Sequence, residues 1–251
     1  PPGSAGRPSS IRMLKDIPGV RTVPRNVFSF ADQGGIDVQR RVLLADDHPL
    51  FRGALRAAVS RVCPEFAIEE VDSLEGARGA LSGFDDVELV LLDLKLPDSE
   101  GIVGLLALRA EFPQVAVVVV SASEDVVTIS NVLAAGAQGF IPKSASLAEI
   151  SEGLKAVLEG DLWTPKGAAL VAPNPGIKAL ATLSPAQARI LAYLRRGLLN
   201  KQIAYELGVT EATVKAHMTG AFKKLGVVNR TQALIMLAQA SPTPPDTASA
   251  G

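Results

Sequence analysis

Between Arg41 and Ile141 five short runs, too continuously apolar to alternate, are separated by segments with helical spacing. That order leaves few ways to fold. The runs are Arg41 to Ala45, Phe66 to Val71, Val87 to Leu92, Val115 to Val120 and Gly139 to Ile141. Helical spacing marks Leu50 to Ser60, Leu74 to Ser82, Ile102 to Glu111, Val126 to Ala135 and Leu147 to Leu158. Strands apolar on both faces must be covered on both faces, and strands each followed by a helix run parallel. The expectation is an α/β fold, a (βα)5 doubly wound parallel sheet over residues 40–160.

The rest of the chain has a different texture. Residues 1–39 are rich in Pro, Gly, Ser and Arg without sustained period and read as a flexible N-terminal extension. Residues 161–182, with three prolines between Leu162 and Thr182 and the Asn174-Pro175 step, read as a linker from which Trp163 is expected to pack back on the first domain. Residues 183–240 carry four helix signals. Ser184, Pro185 and Gln187 combine an N-cap, a first-turn proline and a capping box, and Asn200, Thr210 and Asn229 each stand before a helical run. A small all-α domain is expected there, followed by a disordered tail over 241–251.

Composition matters most when divided. The net charge of the 251 residues is −1, yet Arg40 to Gly160 holds ten Lys and Arg against nineteen Asp and Glu, a balance of −9, while Leu183 to Ala240 holds eight against two, or +6. An acidic half suits a cation and a small basic half suits a polyanion such as nucleic acid. The single cysteine, Cys63, excludes an internal disulfide and suits a reducing compartment, so a cytoplasmic location is expected. No run approaches the ~18 to 20 apolar residues of a membrane span, and no membrane association is expected.

In the flavodoxin-like strand order 2-1-3-4-5, the functional crevice lies between the carboxyl ends of strands 1 and 3. Asp46 and Asp47 follow strand 1 and Asp93 follows strand 3. Three converging carboxylates repel one another unless a cation neutralises them, and hard oxygen ligands suit Mg2+. Ser121 follows strand 4 and Lys143 follows strand 5, which completes a phosphoryl site: Asp93 as nucleophile, the metal and Lys143 to neutralise oxygens, the Ser121 hydroxyl to donate. His48, opening the first helix beside the acids, is left out because Mg2+ prefers oxygen.

Four segments carry a family resemblance: RVLLADDHP from Arg41, LVLLDLKLPD from Leu89, Ser121 to Ser123, and GAQGFIPK from Gly136. Together they resemble a two-component receiver domain over about Arg40 to Gly160. The resemblance implies an aspartyl phosphate on Asp93 received from a sensor histidine kinase, Mg2+ at Asp46 and Asp47, and a switch formed by Ser121 and Phe140, in which the hydroxyl moves inward and the aromatic side chain follows it. The chain departs from the pattern in placing Pro142 before Lys143 and Ser144 after it, where many receivers have Lys-Pro.

In the basic half, a short helix from Asn200 to Leu207, a turn at Gly208 and Val209, and a longer helix capped by Thr210 read as a helix-turn-helix. Val214, Met218, Ala221 and Leu225 repeat at helical spacing and point inward, which leaves Lys215, Ala216, Thr219 and Lys223 on a face that fits a DNA major groove. Thr210 and Thr213 open that helix, where backbone amides suit a phosphate, and are candidate DNA contacts. The segments LSPAQARIL, NKQIAYELGV, TEATVKAH, KKLGV and NRTQA between Leu183 and Ala233 resemble the LuxR-type DNA-binding domain. That resemblance implies that Lys215, Ala216 and Thr219 face the bases, and it leaves Gln187, Ala186 and Gly220 as departures, the last costing about 1 kcal/mol of helix propensity relative to Ala.

Joined, the two halves resemble a NarL/FixJ-type response regulator. The implied function is a transcription factor phosphorylated on Asp93, binding promoter DNA as a homodimer, and not an enzyme. One alternative keeps the receiver only as a dimerisation module. Another is an aspartyl-nucleophile phosphatase, which needs a second acid two residues after the nucleophile, where this chain has Lys95.

Overall fold

The computed structural model describes residues 39–240, so the extension expected over 1–39, apart from Gln39, and the tail expected over 241–251 lie outside the described residues. The first half alternates as expected: β1 (Arg41–Ala45), α1 (Pro49–Val62), β2 (Ala67–Val71), α2 (Leu74–Gly83), β3 (Val87–Asp93), then a short hairpin of β4 (Lys95–Leu96) and β5 (Ser99–Glu100), α3 (Ile102–Glu111), β6 (Ala116–Ser121), α4 (Val126–Ala134), β7 (Gly139–Pro142) and α5 (Leu147–Leu158). The large sheet is parallel with order β2-β1-β3-β6-β7. Its order reverses between β1 and β3, which opens the crevice at their carboxyl ends.

Side chains alternate across the sheet, so consecutive residues feed two cores. Val42, Leu44, Leu89, Leu91, Val118 and Val120 pack with Leu55 and Val59 of α1 and Leu154 of α5. Leu43, Val90, Val117 and Val119 pack on the other face with Leu105 of α3 and Leu133 of α4. This second core does not stop at the sheet: it continues without a break to Leu183, Leu191 and Leu194 of the helical half, chiefly where α3 meets the first long helix there.

Two local features differ from the sequence expectation. The β4/β5 hairpin went unforeseen; it buries Leu94 and Leu96 and turns at Pro97 and Asp98, whose carboxylate accepts from the amides of Leu74 and Glu75 at 2.7 and 2.8 Å and so caps α2. In the expected linker, the Asn174-Pro175 step starts a helix, α6 (Pro175–Leu180), instead of breaking one: Asn174 Oδ1 accepts from Gly176 N at 2.9 Å and proline suits the first helical turn.

Trp163 packs on the sheet as expected. Its amide donates to Gln138 O (3.1 Å) and its carbonyl accepts from Phe140 N (3.0 Å), so it extends the edge beside β7. Its ring covers Gly153, where a β-carbon would lie 3.0 Å from a ring atom. Replacing this buried side chain by Ala is expected to cost about 3 to 5 kcal/mol, the range for large aromatic truncations. Urea unfolding followed by circular dichroism checks it; a loss below 1 kcal/mol is incompatible with this packing.

The helical half contains α7 (Pro185–Arg195), α8 (Asn200–Leu207), α9 (Glu211–Leu225) and α10 (Arg230–Ala240). Ser184 and Gln187 form the expected capping box, Thr210 accepts from Thr213 N at 3.1 Å, and Asn229 Oδ1 accepts from Gln232 N at 2.9 Å. Asn200 is not a cap: it is the first helical residue, Leu199 precedes it, and the Gln202 side chain accepts from Leu199 N at 2.8 Å. Gly208, at φ +64°, makes the turn between α8 and α9 in a left-handed conformation that favours glycine.

Candidate functional site

The sheet brings the acidic residues together at its carboxyl edge. β3 runs one residue further than the apolar pattern indicated, so Asp93 is its last residue, paired with Val120 of β6, and Ser121 ends β6 opposite Pro142. Asp46 is fully buried, Asp93 nearly so, and Asp47 is partly exposed at the crevice mouth. Lys143, just past β7, reaches across the crevice: its Nζ donates to Asp93 Oδ2 at 2.6 Å and lies 2.8 Å from Asp46 Oδ2. Lys95 N donates to Asp93 Oδ1 at 3.0 Å, which fixes the carboxylate plane from the other side.

Burial raises the pKa of Asp93 above the ordinary carboxylate value, opposed mainly by its hydrogen bond from Lys143. A desolvated carboxylate held by one ammonium and one amide is a poised nucleophile, because little water must be stripped from it. His48, set aside in the sequence reading, joins the cluster: Nδ1 lies 2.8 Å from Asp47 Oδ1, 3.1 Å from Asp46 Oδ1 and 3.2 Å from Lys143 Nζ. Its position next to two acids was visible; its turn back over them was not.

Oxygens of Asp46, Asp47 and Asp93 and a nitrogen of His48 all lie within 4.8 Å of one another. Asp46 Oδ2 and Asp47 Oδ1 are buried atoms without a hydrogen-bond partner, despite the nearness of Lys143 and His48. Three carboxylates gathered around one ammonium, with two buried oxygens that make no hydrogen bond, leave negative charge for a further cation to balance. The cluster can therefore hold a metal ion.

Ser121 and Phe140 flank this centre without entering it. Ser121 is buried, and its hydroxyl accepts from Ser123 N at 3.2 Å. Phe140 is wholly buried in the core that also contains Val119, Ile129 and Leu133.

The second site is the outer face of α9. Val214, Met218, Ala221 and Leu225 are buried, and Lys215, Ala216, Thr219 and Lys223 are exposed, as the spacing indicated. No described residue of the α/β half covers them. Lys215 pairs with Glu211 at 3.1 Å, the Thr219 hydroxyl donates to Lys215 O at 2.9 Å, and the hydroxyls of Thr210 and Thr213 meet at 2.8 Å. Gly220 sits on the inner side of α9, where a β-carbon would come within 2.9 Å of Gln187 Nε2.

Comparison with known proteins finds both halves. Residues 42–155 match the family model of the response regulator receiver domain, and residues 181–237 match that of bacterial regulatory proteins of the luxR family. The glycerol metabolism activator of Pseudomonas putida is 34% identical over 206 residues, covering 78% of this chain and 93% of that protein. The nitrate/nitrite response regulator protein NarL of Escherichia coli strain K12 is 32% identical over 209 residues, covering 79% and 94%. A solved structure of RcsB from Salmonella enterica serovar Typhimurium bound to a promoter in the presence of a phosphomimetic is 23% identical, covers 81% of this chain and 100% of that one, and aligns with a TM-score of 0.49.

Proposed function

The chain belongs to the DNA-binding two-component response regulators that join a receiver to a LuxR-type helix-turn-helix domain, and from that premise we propose that Asp93 is the phosphoacceptor that controls promoter binding. The carrying observation is the convergence of Asp46, Asp47, Asp93 and Lys143 at the sheet's switch point, with orphaned carboxylate oxygens among them. We take residues 40–160 as the receiver, 161–182 as the connection and 183–240 as the output domain, acting as a homodimer on promoter DNA in the cytoplasm.

In this reading an oxygen of Asp93 attacks the phosphorus of a phosphohistidine on a sensor kinase. A P–O bond forms as the P–N bond breaks, and the leaving imidazole keeps its electron pair and takes a proton. Asp46, Asp47 and Asp93 would hold Mg2+, which supplies positive charge against the phosphoryl oxygens. Lys143 neutralises another oxygen, and the buried Ser121 hydroxyl turns toward the new phosphate while Phe140 repacks behind it. The receiver's part ends at accepting and slowly losing one phosphoryl group, and the output is DNA binding by α9. A two-fold pair of output domains reads paired half-sites.

Incubating the chain with Mg2+ and an acyl phosphate donor, then weighing the intact protein, tests the acceptor. One phosphoryl group per chain is expected; an unchanged mass sinks the proposal. Mg2+ alone is expected to raise the thermal midpoint, because it binds only the folded cluster, and Asp47→Asn to remove most of that rise. Equal midpoints with and without saturating Mg2+ would exclude a metal site here.

A further inference from the structure

Away from the acidic site, the most deeply buried polar side chains among the described residues are Ser130 and Asn131, both 1% exposed and both on α4, the helix that follows Ser121. A buried amide is costly unless its hydrogen bonds are met. Asn131 meets them outside the receiver: Oδ1 accepts from Asn174 N at 2.8 Å, and Nδ2 donates to the carbonyl of Ala240, the last residue of α10, at 3.4 Å. Ser130 Oγ accepts from Val171 N at 3.0 Å while donating to Val126 O. Asn174 itself donates to Gln239 O at 3.4 Å.

The same segment is pinned upstream, where Trp163 bonds to Gln138 and Phe140 of β7. The chain from Trp163 to Asn174 thus touches β7 at Phe140, which the switch would repack, and α4 at Ser130 and Asn131, whose Ile129 and Leu133 share the core of Phe140, before it reaches the output domain.

We propose that residues 163–174 form a strap that transmits the receiver's state to the DNA-binding domain, with Asn131 as its coupling pin. Asn131 is a positioning residue that touches neither phosphate nor DNA. The Asn131 amide accepts from Asn174 N and donates to Ala240 O at once; Asp lacks the donor and Ala lacks both. Movement of α4 on phosphorylation breaks these contacts and frees the output domain to align on paired half-sites. The inference rests on Asp93 being the regulated phosphoacceptor.

The test uses the full chain and a duplex selected from a randomised pool by the phosphorylated protein. Wild type, Asn131→Asp, Asn131→Ala and Ser130→Ala are compared for phosphoryl uptake, for DNA affinity with and without phosphorylation, and for the emission of Trp163, the chain's only tryptophan. Coupled sites typically differ about 5- to 150-fold in affinity. The wild-type ratio should fall in that range, with a Trp163 emission shift on phosphorylation. The variants should take up phosphate normally while the Asn131 variants lose most of the ratio, by raised affinity of the unphosphorylated form, and most of the emission shift. Ser130→Ala should show the same change in smaller degree, and it decides the matter if an Asn131 variant does not fold. Variants that keep the wild-type ratio overturn the strap alone. A wild type that takes up phosphate yet binds DNA equally in both states overturns the underlying reading and the strap with it.

Discussion

An Asp93→Asn chain is expected to gain no phosphoryl group under conditions that load the wild type completely. The amide has no anionic oxygen to attack phosphorus, and the neighbouring carboxylates are not substitutes. Asp46 is fully buried with Oδ1 engaged by His48 N at 2.7 Å, and Asp47 lies at the crevice mouth without the Lys143 and Lys95 contacts that orient Asp93. Intact-mass measurement checks this directly, and a labelled Asp93→Asn chain would move the acceptor elsewhere. The substitution has a second expected effect, on stability. Because burial raises the pKa of Asp93, the folded state binds its proton more tightly than the unfolded state does. The group's favourable contribution is therefore full below the ordinary carboxylate value and is lost as pH rises through the raised one. The metal-free Asn variant should gain on the wild type in thermal midpoint as pH rises through that window, and an advantage that shrinks instead would contradict the assigned direction.

The second large effect is expected on DNA. Lys215→Ala is predicted to weaken binding by about 1 to 3 kcal/mol and, if the contact is to a base, to relax specificity at one position; Lys223→Ala, acting on phosphate, should lower affinity for all sequences and reduce the salt slope by about 1. Both lysines are exposed on one face of α9, and the buried Val214, Met218 and Leu225 hold that face outward. Lys215 now leans on Glu211 at 3.1 Å, so this pair must open for the ammonium to reach DNA. Anisotropy titrations over a salt series separate the two roles. Unchanged affinity in the double variant would remove α9 from the interface.

The sheet and the acids at its edge were legible because each depends on local pattern. Apolar runs flanked by helical spacing specify parallel strands, and the residues that end those strands must converge at the switch point. The helix-turn-helix was legible from the Thr210 cap and from Gly208, although Asn200 proved to be the first helical residue and not a cap. What escaped the sequence depends on partners far along the chain. Asn131 and Ser130 look like tolerated polar residues in a helix until their partners, 43 and 109 residues away for Asn131, are seen. Asn174-Pro175 reads as part of a linker, yet the same two residues make an N-cap and a first-turn proline. Local chemistry there permits both outcomes, and packing of Ile177 and Leu180 into the shared core selects the helix.

The most direct test of the central claim is a titration of the selected duplex with wild type and Asp93→Asn, each in Mg2+ with and without the acyl phosphate donor. The wild type should bind more tightly when the donor is present, and Asp93→Asn should bind identically in both conditions. Equal wild-type affinity with and without the donor, or a donor-dependent gain in Asp93→Asn, would contradict control of DNA binding through this aspartate.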